Sequence, residues 1–167
     1  MKKHVLSIIV ENHPGVLSKV SGLFSRRGYN IESLNVSITE DPTTSRITIT
    51  ANGDDATIEQ IIKQLNKLID VIKVQVIDLS KAVSREIALI KVSTTLQNRS
   101  SIIEVANIFR SNIIDINEKS MIVEATGDSS KISALIEMLR PFGIIELIRT
   151  GLTALQRGSE AAISKSF

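Results

Sequence analysis

The sequence contains no cysteine and only two histidines, His4 and His13, among its 167 residues. A chain without cysteine has no disulfide, no thiol nucleophile and no thiolate ligand for zinc or an iron–sulfur cluster. Two imidazoles are also too few for a metal site built from several histidines, so we expect no metal on this chain.

Aromatic residues are scarce as well, at 3% with no tryptophan, whereas hydrophobic residues reach 43%. Isoleucine dominates the hydrophobic residues, and β-branched side chains favour the pleated surface of a sheet. We therefore expect a globular protein with an aliphatic core and a substantial sheet.

Strong charge and long apolar runs are also missing. The formal net charge is +2, which is too small to indicate nucleic acid or a membrane surface as a partner. No apolar run approaches the roughly 20 residues that cross a bilayer. The apolar run near the N-terminus is short, and Glu11–Pro14 interrupt it before any small-residue cleavage site. We expect a cytoplasmic protein.

An internal repeat organises the chain. Gly53-Asp54 and Gly127-Asp128 lie 74 residues apart, and each pair closes a strand-like segment and opens a helical pattern. The apolar positions of the two helical patterns correspond at the same spacing: Ile58, Ile61, Ile62 and Leu65 in the first copy, and Ile132, Leu135, Ile136 and Leu139 in the second.

Each copy has the pattern strand, helix, strand, strand, helix, strand, which is the order of the ferredoxin-like βαββαβ unit. The predicted class is α+β, with two units that each form a four-stranded antiparallel sheet with helices on one face. Ser101–Glu104 predicts a capping box for the first helix of the second copy. Exposed sheet edges favour a homodimer. The predicted boundaries are 1–79 for the first domain, 80–85 for a linker, 86–157 for the second domain and 158–167 for a flexible tail.

The strongest candidate site is the loop Glu11–Leu17, where a buried strand runs into a helix. Gly15 at the helix start leaves backbone N–H groups facing open space, which suits a carboxylate or a phosphate. Alternatively, Pro14 and Gly15 only form a tight turn. The corresponding connection of the second copy, Thr94–Ser100, has neither proline nor glycine, and this difference favours a binding role for the loop.

Other polar residues have two readings each. Asn30 offers a donor and an acceptor to a ligand, or it ends a helix as a turn residue. His13 is a base or an ordinary polar loop residue, and Glu11 and Glu32 form a carboxylate pair only if the fold brings them together. Neither a Walker loop nor a G-x-G-x-x-G motif occurs. With no catalytic constellation, we predict a binding protein without catalytic residues.

Two stretches of the first copy, Glu11–Leu17 and Leu23–Leu34, carry a resemblance to a known family. Further matching segments follow in order along nearly the whole chain: 41–43, 45–46, 64–71, 85–92, 108–110, 140–144, 149–151 and 157–158. Together they resemble the small, regulatory subunit of acetolactate synthase (acetohydroxyacid synthase), in which residues 1–79 would be an ACT domain.

The resemblance implies a regulatory role without independent catalytic activity. Members of this family bind and activate a separate catalytic subunit, which carries thiamine diphosphate, Mg²⁺ and FAD. They also make it sensitive to branched-chain amino acids, usually valine. The effector lies between two ACT domains in a homodimer. The positions that match the family's effector site are Asn12, Gly15, Val16 and Leu17 from one chain, with Asn30 and Ile31 from the other.

Three alternatives remain at this stage. An RNA-recognition module shares the βαββαβ order, but it needs stacking aromatics on its central strands, which this sequence lacks there. A free-standing amino-acid sensor for some other enzyme is a second alternative, and a small enzyme is a third. The sequence also leaves open which branched-chain amino acid is the effector.

Overall fold

The alternation of short amphipathic helices with apolar strands produces two compact units. The computed structural model describes residues 2–158. The residues up to Ser84, together with the described residues from Leu152 onward, form the first unit, and Arg85–Gly151 form the second.

The first unit is an antiparallel sheet of four strands with the spatial order β2-β3-β1-β4. Its two helices lie on one face, because both present an apolar stripe to the same side of the sheet. Its elements are β1 (Lys2–Glu11), α1 (Val16–Arg26), β2 (Ile31–Ile38), β3 (Thr44–Gly53), α2 (Asp55–Leu65) and β4 (Val71–Ile77).

The alternation of side chains between the two faces of each strand decides which residues form the core of this unit. Leu6, Ile8 and Val10 point to the helix side of β1, and Phe24 of α1 packs against them with no exposed surface. Every second residue of a strand faces the same side, so the alternating apolar pattern places its large side chains under the helices. The core is aliphatic apart from Phe24, as the composition predicts.

The second unit repeats the arrangement with the strand order β6-β7-β5-β8. Its core is again aliphatic, with Ile90, Ile102 and Ile132 fully buried. The predicted class, two ferredoxin-like units with four-stranded antiparallel sheets, is confirmed. The elements are β5 (Ala82–Ser93), α3 (Arg99–Ile108), β6 (Asn112–Ile116), β7 (Ser120–Gly127), α4 (Ser129–Leu139) and β8 (Ile144–Arg149), with 3-10 turns at Leu79–Lys81 and Arg140–Phe142.

Two of the expected domain boundaries differ from the structure. The expected linker 80–85 is ordered, since a 3-10 turn ends at Lys81 and β5 begins at Ala82. The expected second domain, 86–157, ends earlier, because residues from Leu152 belong to the first unit. Leu152 and Ala154 are buried there beside Val5, and a ninth strand, β9 (Thr153–Gln156), pairs with β5. Most of the expected tail, 158–167, lies outside the described residues.

Helix capping follows the repeat in part. Asp54 and Asp128 are the N-caps of α2 and α4, and each carboxylate accepts a hydrogen bond from the backbone N–H three residues later, at 2.7 and 2.8 Å. The capping box predicted at Ser101–Glu104 is wrong. Asn98 precedes α3, and its side-chain oxygen accepts from the N–H of Thr95 at 2.7 Å. The turn made by these two side chains places the N-cap at Asn98, three residues before the predicted cap at Ser101.

Two isoleucines, Ile61 in α2 and Ile69 in the turn before β4, test the assigned core. Ile61 is 1% exposed and Ile69 is 91% exposed. Ile61→Ala should lower the free energy of unfolding by about 2–5 kcal/mol, because it leaves a cavity. The same change at Ile69 should stay within about 0.5 kcal/mol. Urea unfolding followed by circular dichroism measures both, and equal effects would contradict the core assignment.

Candidate functional site

The loop between β1 and α1 has the geometry of an open helix start. Gly15 is the N-cap of α1 with φ +90° and ψ −16°, and no side chain caps the helix. A positive φ favours glycine, since a Cβ there is strained. A Cβ at Gly15 would meet no atom within 4 Å, so the space beside the helix start is open. The two capping aspartates of α2 and α4 have no counterpart here.

The first turn of α1 offers backbone donors to that space. The N–H groups of Val16 and Leu17 have no carbonyl four residues earlier within the helix, and the N–H of Val16 makes only a long hydrogen bond, 3.5 Å, to the carbonyl of His13. These donors add to the positive end of the helix dipole, which favours a small anion such as a carboxylate. Val16 is buried, whereas Leu17 is 42% exposed and adds apolar surface beside the donors.

Asn12 fixes the loop to the neighbouring hairpin. Its side-chain amide donates to the carbonyl of Pro42 at 2.9 Å, and its backbone N–H donates to Thr43 O at 2.7 Å. Asn12 therefore stays exposed at the mouth of the loop while its backbone is held in place. The structure thus brings Asn12, Gly15, Val16 and Leu17 together, as their closeness in sequence requires.

A network of polar contacts centred on Asp70 holds the loop between β1 and α1 in place. Asp70, 5% exposed, contacts the Lys19 ammonium at 2.6 Å and Nε2 of His13 at 2.9 Å, and Glu11 lies 3.6 Å from the same His13 nitrogen. The Asp70 carbonyl also accepts from the N–H of Glu11 at 2.9 Å. The hydrogen bond from Lys19 lowers the pKa of Asp70, and the nearby His13 acts in the same direction. The network ties the end of β1 and the start of α1 to the residue before β4.

Sequence reasoning missed Asp70 and Lys19, which are 51 residues apart. No local pattern marks either residue, because the contact exists only once β4 has paired beside β1. Glu11, His13 and Asp70 are the described residues with ligand atoms close enough for a metal ion, within 4.8 Å of one another. The cation that Asp70 holds in this structure is the ammonium of Lys19. His13 thus acts as a polar residue within an ion-pair network.

Asn30 and Ile31 lie at the other end of the sheet. Ile31 pairs with Ala51 of β3, and Ala51 pairs with His4 of β1. Seven strand residues separate His4 from Glu11, which is about 23 Å at the usual rise per residue. One chain therefore cannot bring Asn30 and Ile31 to the loop at Gly15.

The same distance rules out the carboxylate pair considered from the sequence. Glu32 follows Ile31 and contacts Lys3 at 3.5 Å and the side-chain amide of Asn52. Glu11 is at the opposite end of β1 with His13 and Asp70. The hypothesis of a Glu11–Glu32 pair is wrong within one chain, because the antiparallel register separates the two residues.

The first sheet does not have the exposed aromatic face that the RNA-recognition alternative requires. An RNA-recognition module displays aromatics on the sheet face opposite the helices. In the first sheet, that face carries Val5, Ser7 and Ile9 from β1, and all three are buried.

No helix within residues 2–158 is long and apolar enough to span a membrane.

Fold and loop together define the class of protein. Two ferredoxin-like units, the first with an open glycine helix start after its first strand, are features of proteins with ACT-type domains. A family model for the "AHAS small subunit-like ACT domain" matches residues 6–73, and one for the "Small subunit of acetolactate synthase" matches residues 85–158.

The chain belongs to the acetolactate synthase small-subunit family. It is 52% identical to the probable acetolactate synthase small subunit of Archaeoglobus fulgidus over 95% of this chain and 99% of that protein. It is also 52% identical to the acetolactate synthase small subunit of Mycobacterium bovis over 94% of each chain. The crystal structure of the Thermotoga maritima small subunit matches with a TM-score of 0.89 at 43% identity, covering 96% of this chain and all of that one.

The Asp70 network predicts an acid-dependent loss of stability. The folded pKa of Asp70 is lowered from its ordinary value of 3.8, so its contribution is complete well above that value and is lost as the pH falls through the folded pKa. Asp70→Asn should therefore destabilise the protein at pH 7, and the difference from wild type should shrink below pH 3.8.

Urea unfolding across this pH range measures the effect, with Asp115→Asn at an exposed site as the matched control. A difference between wild type and Asp70→Asn that does not change with pH would contradict the prediction.

Proposed function

We propose that this protein is the regulatory subunit of acetolactate synthase. It binds the catalytic subunit, raises its activity and makes it subject to feedback inhibition by a branched-chain amino acid, with valine as the expected effector. The observation that carries the proposal is the open helix start at Gly15 in a chain of the small-subunit family. Thiamine diphosphate, Mg²⁺ and FAD are expected on the catalytic partner, and the cytoplasmic location stays a prediction.

An amino acid has the chemistry that the loop accepts. Its carboxylate would accept hydrogen bonds from the N–H groups at the start of α1. Its ammonium would donate to amide and carbonyl oxygens such as those of Asn12 and Asn30. A branched aliphatic side chain would contact exposed apolar surface at Leu17, while Val16 and Ile31 are the other apolar positions of the proposed site. A phosphate would leave these apolar positions unused.

The proposed site needs two chains, and the free edge of the sheet supplies a way to join them. β2 is an edge strand whose last residues expose Val36 and Ile38. Ile38 pairs with Ser45, which pairs with Val10, so the end of β2 lies near the Asn12 loop. Two copies that pair antiparallel through β2 would set the start of one β2 beside the end of the other. Asn30 and Ile31 of one chain would then approach Asn12 and Gly15 of its partner.

A ligand shared by two chains is linked to their arrangement. An effector that binds one dimer geometry more tightly shifts the population toward that geometry. If the catalytic subunit is activated by the other geometry, then the effector weakens activation. This linkage explains inhibition without any contact between the effector and the catalytic centre.

Gly15→Asp tests the site in the reconstituted enzyme. The wild-type chain should raise pyruvate condensation by the catalytic subunit, and a branched-chain amino acid should lower it again. In Gly15→Asp the new carboxylate competes for the anion position. Two carboxylates about 4 Å apart near a protein surface repel by roughly 4 kcal/mol, so effector affinity should fall at least tenfold, about 1.4 kcal/mol, while activation remains.

Gly143→Asp is the control for backbone strain, since Gly143 has φ +92° against +90° at Gly15. Calorimetric titration of valine, leucine and isoleucine gives the affinities. Unchanged affinity in Gly15→Asp would contradict the site. A wild-type chain that binds the effector but never stimulates the catalytic subunit would favour the free-standing sensor.

The edge pairing predicts a dimer that a charge on β2 disrupts. Val36→Lys places a cation on the free edge, and charged side chains on an edge strand oppose further pairing. The variant should sediment as a monomer at concentrations where the wild type is a dimer. Ile72→Lys on the opposite edge strand, β4, should leave the dimer intact, because Ile72 is 53% exposed but lies outside the proposed interface. Equal behaviour of the two variants in sedimentation velocity would refute pairing through β2.

A further inference from the structure

The end of the described chain lies across the first sheet. Residues Leu152–Gln156, here called the C-terminal strap, cover the sheet face opposite the helices. Leu152 and Ala154 are buried together with Val5, Ile77 and Ala82. An apolar cluster on the second face of a ferredoxin-like sheet is not required by the βαββαβ pattern, so the strap is an added element of this unit.

A polar row beneath the strap runs through all four strands. Asn35, Thr48, Ser7 and Gln75 are consecutive partners in the registers of β2, β3, β1 and β4. At the β2 end, Nδ2 of Asn35 donates to Leu152 O at 2.8 Å. At the β4 end, Nε2 of Gln75 donates to Oε1 of Gln156 at 3.0 Å. Both edge strands therefore hold the strap, one at each of its ends.

In the middle of the row, Ser7 makes no hydrogen bond to the strap among the described residues. Ser7 Oγ is buried and has no hydrogen-bond partner among the described residues, and the same is true of Thr50 Oγ1 on the neighbouring row. Buried hydroxyls without partners oppose the covered state. The strap thus depends on its pairing with β5, on its apolar residues and on the two amides at its ends.

Along the chain, a single residue, Gly151, separates the strap from Thr150 of the second unit. Thr150 belongs to the second unit, where its N–H donates to Ile87 O at 3.1 Å and its hydroxyl accepts from the Ile87 N–H at 3.1 Å. Gly151 follows with φ +79°. Leu152, the next residue, is held by Asn35 in the first unit. Two peptide units cannot stretch much beyond 7 Å, so a displacement of Leu152 must be taken up at Gly151 or passed to Thr150.

We propose that the strap couples the effector site to the second domain through Asn35. This inference rests on the proposed function, because it concerns the regulation of that same site. β2 begins at Ile31, directly after Asn30, so Ile31 and Asn30 lie four and five residues before Asn35. An effector that draws the start of β2 toward a partner chain moves Asn35, and Asn35 moves Leu152. Asn35 and Gly151 are coupling positions that contact no effector.

Two variants break the coupling in different ways. Asn35→Leu removes the amide that holds Leu152 and keeps a side chain of similar size. A Gly-Ser-Gly insertion between Gly151 and Leu152 keeps every contact but makes the connection slack. Asn112→Leu is the matched control, since the Asn112 amide on edge strand β6 contacts Glu124 within its own unit at 3.2 Å.

The full-length variants are tested with the catalytic subunit, using valine as the probe. Both coupling variants should bind valine within about threefold of wild type, yet the valine-dependent loss of activity should fall below about twofold, since coupling between sites ordinarily amounts to 5–150-fold. Wild-type valine sensitivity in both variants would overturn the inference. Loss of valine binding in both would also overturn it, because the strap would then only shape the pocket.

Hydrogen exchange gives a readout that does not depend on the proposed function. Backbone amides of residues 153–156 should exchange faster in Asn35→Leu than in wild type without any effector, and Asn112→Leu should leave them unchanged. Unaltered exchange would overturn the tether itself. A wild-type chain that neither binds valine nor stimulates the catalytic subunit, with faster exchange still seen in Asn35→Leu, would refute the proposed function and leave the tether standing.

Discussion

The antiparallel register of β1 with β3 is the constraint on which the rest of the first unit depends. Ten consecutive pairs, from Lys2 with Gly53 to Glu11 with Thr44, fix which residues share an end of the sheet. A shift of one residue would turn Leu6, Ile8 and Val10 away from the helices. The same register places the Gly15 loop beside the β2–β3 hairpin and Asn30 at the opposite end of the sheet.

The distance between the Gly15 loop and Asn30 divides the candidate site into two halves. Half of the proposed pocket is a helix start that only a glycine leaves open, and the other half lies about seven strand residues away on an edge strand. A chain built in this way holds an incomplete site by itself. The contacts of Asp70 with Lys19 and His13 hold the first half in place. In the proposed dimer, the variable quantity would be the position of the second chain.

Much of the fold could be predicted because its signals are local. Alternation in β1, the apolar stripes of α2 and α4 and the 74-residue repeat each express a period that a strand or a helix imposes on its own sequence. The predictions that differ from the structure depend on distant partners. Residues 80–85 are ordered by neighbours from both ends of the chain, and Leu152–Gln156 pack on β1 and β4, which precede them by more than 70 residues. The capping box failed for a local reason, since Thr95 and Asn98 form a turn that starts α3 earlier.

The candidate site divides in the same way. Asn12, Gly15, Val16 and Leu17 are neighbours in the chain, so the sequence by itself determined that they lie together at the helix start, where the structure then shows Gly15 at φ +90°. The residues that brace it, the distance to Asn30 and Ile31, and the strap held by Asn35 were decided only by the tertiary structure. The physical reason is that a hydrogen-bonded register converts positions far apart in sequence into fixed positions in space, and no local period records which strands become neighbours.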